Sequence, residues 1–201
     1  MKSLVTAALA VALFAAAPLH AQGRTTGVMV GLHANGTTID DDDADDGRET
    51  DRGGGVGFEL GYGFSSGLVL FLAGDFASVN RELDLGDITG EERDFGLGHV
   101  DLGARVNFGG GRRALVPYLE ALFTGVVLAD DPDEADRSVS GGGITVGGGL
   151  QYFLTRRLAA DAGVRLTAGS FTTLDLDGEE IDLDDFHVST SRFNLGFKLY
   201  L

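Results

Sequence analysis

The strongest constraint on this chain is a period of two, repeated along its length. The last ten residues, "RFNLGFKLYL", put Phe193, Leu195, Phe197, Leu199 and Leu201 on one parity. Arg192, Asn194, Gly196, Lys198 and Tyr200 fall on the other. Successive side chains of an extended strand point to opposite faces, so such a segment builds a sheet with one greasy face and one polar face. The same alternation marks residues 27–39, 54–64, 68–81, 95–108, 114–128, 142–154 and 158–174, and residues 188–201 complete the series. None of these segments carries the 3.6-residue apolar period of an amphipathic helix. The chain is expected to be all-β.

The links between the segments alternate as well. "SSG", "GGGRR" and "TRR" are tight turns, whereas "DDDDADDGRETDR", "ELDLGDITGEERD", "ADDPDEADRSVSG" and "DLDGEEIDLDDFH" are long. Short and long links taking turns make the strands run up and down, with every long link at one end. The prediction is an eight-stranded antiparallel up-and-down β-barrel with both termini at the short-turn end. Ahead of it stands "MKSLVTAALAVALFAAAPLHAQ", with Lys2 before an apolar and small-residue run from Leu4 to Ala17. That run is shorter than the ~20 residues of a spanning helix and suits a signal peptide. Cleavage is expected after Ala21, leaving residues 1–21 as leader and 22–201 as the barrel. The chain has no cysteine, so neither disulfides nor a cysteine-ligated metal is available. A net charge of −16 argues against nucleic acid as a partner.

A closed barrel can keep its greasy face inside, as a soluble carrier does, or turn it outward to lipid. The acids discriminate between the two. Of the 31 Asp and Glu residues, 26 lie in the four long links. The other five, Glu59, Asp75, Asp101, Glu120 and Asp161, all sit on the parity opposite the apolar stripe. Arg105, Arg165, Arg192, Lys198 and His99 share that polar face, spaced by Gly57, Gly61, Gly103, Gly147, Gly149, Gly163 and Gly196. A water-facing strand favours Thr, Lys and Glu, because exposed glycine weakens a strand. A narrow lumen instead needs small residues around a few long ones. The greasy parity also runs through all eight segments, too continuous for one wall of a ligand pocket. The reading is a transmembrane barrel with a lumen charge network of Glu59, Asp75, Asp101, Arg105, Glu120, Asp161, Arg165 and Arg192. Asp101 and Arg105, like Asp161 and Arg165, stand four residues apart, too far for contact along one strand at ~3.3 Å per residue. Pairing is therefore expected across strands, and expected to plug the lumen. Phe64, Phe108 and Tyr152, with Phe197 and Tyr200 near them, are expected to form an interfacial aromatic girdle at the short-turn end.

With "VPYLEALFTGV" and "GGGLQYFLTRRLAADAGVRL" as two of its strand stretches, the sequence resembles the small outer-membrane barrels of Gram-negative bacteria, of the OmpA and OmpX type. The resemblance covers residues 27–201. It implies insertion in the outer membrane, contact with its lipid and lipopolysaccharide, long links facing outward, and assembly machinery that reads an aromatic in the last strand. Here that aromatic is Tyr200, followed by Leu201. A monomer is expected, without a peptidoglycan-binding domain.

Chemistry-bearing patterns are few. "FHVSTS" sets His187 and Ser189 on one parity with Asp185 nearby, a grouping that outer-membrane lipid A deacylases share, but the residues around it do not match that family. "DDDDADDG" and "DLDGEEIDLDD" could attract hard cations. Neither has Asp, Gly and Glu at the positions of a Ca²⁺ loop, so weak, diffuse Ca²⁺ or Mg²⁺ association is expected, with no metal site and no cofactor. The Gly-x-Gly runs lack a following helix and are no phosphate loops. His33 and His99 share the inward face without a third ligand. The expected function is a non-enzymatic outer-membrane barrel with long acidic extracellular loops and a plugged lumen, envelope-structural or surface-interacting. The alternatives are a narrow channel and a lipid A hydrolase.

Overall fold

The structure, a computed structural model, describes residues 24–41, 50–82, 92–109, 113–130, 137–176 and 179–201. Residues 1–23, where the signal peptide and its cleavage after Ala21 are expected, and parts of the long links lie outside the described residues.

Eight strands follow in order: β1 Gly27–Asp41, β2 Thr50–Gly63, β3 Leu68–Glu82, β4 Glu92–Asn107, β5 Leu115–Asp130, β6 Arg137–Phe153, β7 Leu158–Leu176 and β8 Glu179–Tyr200. Each pairs antiparallel with the next, and β1 pairs with β8 to close the barrel. Closure gives every strand two partners and leaves no open sheet edge. Following hydrogen-bonded partners once around fixes the stagger. Met29 leads to Gly61, Phe71, Gly103, Leu122, Thr145, Thr167 and Thr190, and Thr190 pairs with Ile39. The circuit returns to β1 ten residues from its start. For eight strands ~3.3 Å per residue and ~4.8 Å apart, that stagger sets a tilt of roughly 40° and a radius of about 8 Å.

The apolar parity faces outward. In β2, β3 and β4 the outward series run Val56 to Phe64, Leu68 to Phe76 and Val100 to Phe108, and their large side chains are exposed. Each series covers nine residues, matching the ~9–11 that a tilted strand needs to cross a bilayer. Phe64, Phe108 and Phe197 face outward at the short-turn end, Phe64 packing edge-to-face on Tyr62 at 5.0 Å. Tyr200 does not join them. It is fully buried, points into the barrel, donates to Gln151 Oε1 at 3.0 Å and lies against Phe153. Its position on the charged parity is the cause: the strand's alternation turns it inward whatever its interfacial preference.

The strands are longer at the long-link end than the apolar series alone indicate. The fourth long link differs most. β7 and β8 stay paired through Leu174↔Ile181 to Leu176↔Glu179, so most of "DLDGEEIDLDD" is strand, reached across a register shift between Phe171 and Thr173.

Candidate functional site

The inward parity carries three kinds of side chain. At the short-turn end Met29, Val69, Phe71, Val116, Phe153, Ala159 and Tyr200 pack into an apolar cluster. Toward the long-link end Val79, Leu97 and Val126 form a second, with Ile39, Leu128 and Val139 against it. Between them lie the charges. The lumen is thus less polar than the acids alone imply. In β3 both parities are apolar, and only Asp75 marks which one turns inward; Val69, Phe71 and Val79 share that parity.

Glu59, Asp75, Asp101, Arg105, Glu120, Asp161, Arg165 and Arg192 are all buried in the lumen; all but Asp161 join in one set of ion pairs with one another. The guanidinium of Arg105 lies between the rings of Phe71 and Tyr118, 4.5 Å from each centroid. Its Nε donates to Glu120 Oε2 at 3.0 Å, and its Nη2 reaches Glu120 Oε2 at 2.8 Å and both Glu59 oxygens at 3.1 Å. Arg165 stands in the centre. Its Nε donates to Glu120 Oε1 at 2.8 Å and its Nη2 to Glu59 Oε1 at 2.6 Å. Its Nη1 faces Asp75 Oδ2 at 3.3 Å and Asp101 Oδ2 at 3.5 Å. Arg192 Nη1 holds the same two oxygens at 2.6 and 2.8 Å. Asp161 is served from another side, by Lys198 Nζ at 2.8 Å and the Tyr118 hydroxyl at 3.1 Å.

Partners follow register and reach, not sequence proximity. Arg105 and Glu120 are directly opposite across β4 and β5. Arg165 and Arg192 are also directly opposite, across β7 and β8. Like charges so placed repel; here Asp75 and Asp101 lie between their Nη1 groups and offset that repulsion. A belt of hydroxyls completes the circuit. The Asp101 carboxylate can only accept, so Thr124 donates to it at 2.6 Å. Thr145 then donates to Thr124 at 2.5 Å and Thr167 to Thr145 at 2.7 Å, while Thr167 accepts from Arg192 Nη2 at 3.4 Å.

Glycines make room for this packing. A Cβ on Gly57 would overlap both His33 Nε2 and Asp75 Oδ1, which are in direct contact. A Cβ on Gly149 or Gly163 would overlap the Tyr118 hydroxyl. Lys198, His33, Tyr118 and Phe71 are members of the site that the eight-residue network omits. Each stands on the charged parity of its strand, which is the signal that could have found them.

Ser189 is half-buried on the outward parity, paired in register with Ala168. The side chains of Asp185 and His187 lie outside the described residues. Among the described residues no group of three His, Asp or Glu is placed to hold a metal ion.

A closed eight-stranded barrel, apolar outside and charged within, defines a β-barrel membrane protein. Residues 6–199 match the family described as outer membrane protein beta-barrel domain, and the chain belongs to it. It is therefore a protein of the bacterial outer membrane. Among solved structures it is similar to Neisserial surface protein A, at 16% identity with a TM-score of 0.66, over 88% of this chain and 98% of that one. The outer membrane protein OprG from Pseudomonas aeruginosa is similar at 14% identity and TM-score 0.57, over 90% and 99%. The outer membrane protein AlkL, solved in lipid bilayers, is similar at 16% identity and TM-score 0.51, over 90% and 93%. At these identities the likeness is one of fold. No curated protein matches the sequence.

Proposed function

We propose that the protein is a closed, non-enzymatic, monomeric barrel that anchors an acidic surface in the outer membrane, with an envelope-structural or surface-interacting role. The observation that carries this reading is the lumen network: Arg165 alone touches four carboxylates contributed by β2, β3, β4 and β5. Ties between opposite walls of a barrel about 8 Å in radius fill the interior with side chains and plug it against solutes. The outward face meets lipid and lipopolysaccharide. The long links, with 26 acids among them, face the exterior and gather Ca²⁺ or Mg²⁺ diffusely.

Planar-bilayer recording of the refolded protein tests the plug. Silence, with a heat-modifiable shift on gels proving the barrel folded, is the expected result. A sustained single-channel current from the wild type would replace this reading by the narrow channel.

A further inference from the structure

The two ends of the barrel carry opposite charge. The four long links hold 26 acids. The short-turn end holds none: residues 22–27, 63–68, 107–115, 153–158 and 199–201 contain no Asp or Glu. They contain Arg24, Arg112, Arg113, Arg156 and Arg157 instead. Arg112 lies outside the described residues, and the other four are exposed. Among the described residues none of these four has an ion-pair partner.

Backbone hydrogen bonds gather these arginines into one arc. Arg24 N donates to Arg156 O at 2.9 Å, which brings the segment before β1 against the β6–β7 turn. Phe153 N donates to Ala114 O at 2.7 Å, which brings the β4–β5 turn, with Arg113, to the same strand end. Both turns are tightly built. Thr155 Oγ1 accepts from Arg157 N at 3.2 Å and from Leu158 N at 3.0 Å. Gly109 has a φ of 78°, and a Cβ there would lie 3.4 Å from Arg113 Cδ, so the Arg113 stem folds back across its own turn. The β2–β3 turn, residues 64–67, carries no charge.

The arc sits at the edge of the lipid-facing band. Leu154 and Leu158 flank the Thr155, Arg156 and Arg157 turn, and Leu115 follows Arg113 by two residues. Phe108, Leu115, Leu154 and Leu201 are exposed on the outward face at this end. Guanidinium groups one or two residues beyond that band stand at the depth of lipid headgroups, where basic side chains attract anionic lipid. An arginine also presents a planar fork that holds a phosphate through paired N–H···O bonds. No acidic side chain at this end competes for it. A soluble polymer would reach the arginines only from the water side, whereas the leucines already fix a headgroup at their level. We propose that Arg24, Arg113, Arg156 and Arg157 form a binding arc for anionic phospholipid, held by its phosphodiester at the short-turn rim. The choice of leaflet rests on the reading that the long links face the exterior; the arc then meets the periplasmic leaflet.

Nuclear magnetic resonance on the full mature barrel, deuterated and refolded in phosphatidylcholine nanodiscs, tests this. One sample receives a trace of phosphatidylglycerol spin-labelled high on its acyl chain, and a matched sample receives phosphatidylcholine labelled the same way. At low salt the phosphatidylglycerol label is expected to broaden amides of residues 113–115 and 154–158 at least about twofold more than the phosphatidylcholine label. Both labels are expected to broaden residues 64–67 equally. The excess is expected to shrink at about 0.5 M NaCl, where charges are screened within a few Å. It is also expected to vanish when Arg24→Gln, Arg113→Gln, Arg156→Gln and Arg157→Gln are combined, and to persist in Arg52→Gln, an exposed arginine at the other end. Equal broadening of the arc by both labels in the wild type overturns the proposal without any variant. An excess that survives the fourfold substitution, or is as large at residues 64–67, overturns it too. Equal broadening by both labels, with shifts of the arc amides on adding soluble peptidoglycan fragments, would overturn it in favour of the wall polymer. A nanodisc offers the same lipid on both faces, so a reversed barrel leaves these outcomes unchanged. Protease cleavage of the long links on whole cells tests the orientation separately.

Discussion

Arg165 is the residue on which the lumen turns. It alone touches Glu59, Asp75, Asp101 and Glu120. Arg165→Ala leaves Glu120 with Arg105 only and Asp101 with Arg192 and a hydroxyl. Breaking such a buried network by removing one partner costs about 3–5 kcal/mol. Arg165→Lys keeps the charge but loses the planar fork that spans four carboxylates, so a smaller loss is expected. Urea unfolding in lipid vesicles measures both, and equal stability of wild type and Arg165→Ala would contradict the network. The threonine belt gives a milder case. Thr145→Val removes the acceptor of Thr167 and the donor to Thr124 while keeping the shape, an expected loss of about 1–3 kcal/mol. Parity in the sequence marked every charged member of this cluster as inward-facing. It could not name partners, because those depend on how far each strand slides past its neighbours, and that stagger is a property of the closed circuit. The apolar companions were harder to read, since in β3 both faces are greasy and only the parity of Asp75 marks Phe71 and Val69 as inward.

Among the elements, the β7–β8 ribbon departs furthest from expectation. Its acids are dense enough to read as a solvated link. Yet Leu174 and Leu176 on one side of the link, and Ile181 and Leu183 on the other, keep the period of two. The alternation was legible; charge density masked it. The ribbon's register sets one acid opposite another, Asp175 and Glu180. Like charges directly opposite destabilise a pair by roughly 0.2–1 kcal/mol, and salt screens them. Hydrogen exchange at residues 173–176 and 179–182 is therefore expected to slow as NaCl or millimolar Ca²⁺ is added, while amides of β7 near Arg165 stay unchanged. Exchange indifferent to both would show that the paired acids are not strained. On the other face of the strands, the lipid-facing leucines predict a different penalty. Leu102→Arg puts a charge on the outward band of β4, and about 2–4 kcal/mol of lost stability is expected if Leu102 lies at mid-bilayer.

Taken whole, the molecule stacks three layers inside one wall. A stagger of ten over eight strands leaves an interior about as wide as the side chains that fill it. The charged layer lies between the apolar cluster around Met29, Phe71, Phe153 and Tyr200 and the one around Val79, Leu97 and Val126. On the proposed plugged reading, an ion crossing the barrel would shed water in both apolar layers and displace ion pairs between them. Each layer would then be a barrier in its own right, and breaking one would leave two. Arg165→Ala is expected to weaken the barrel without opening it, so planar bilayers should still show no sustained current. Adding Phe71→Ala and Phe153→Ala hollows the layer at the short-turn end, and brief openings of low conductance are expected from the triple variant. The order of these effects is the test. A stable current from Arg165→Ala alone would mean that the apolar clusters are open to water and that the ion pairs are the sole barrier. In that case Glu59, Asp75, Asp101 and Glu120 would line a cation-favouring path, and the current would carry Na⁺ in preference to Cl⁻. Silence in Arg165→Ala followed by current in the triple variant would place the seal in the layered packing, with the charges holding the walls together.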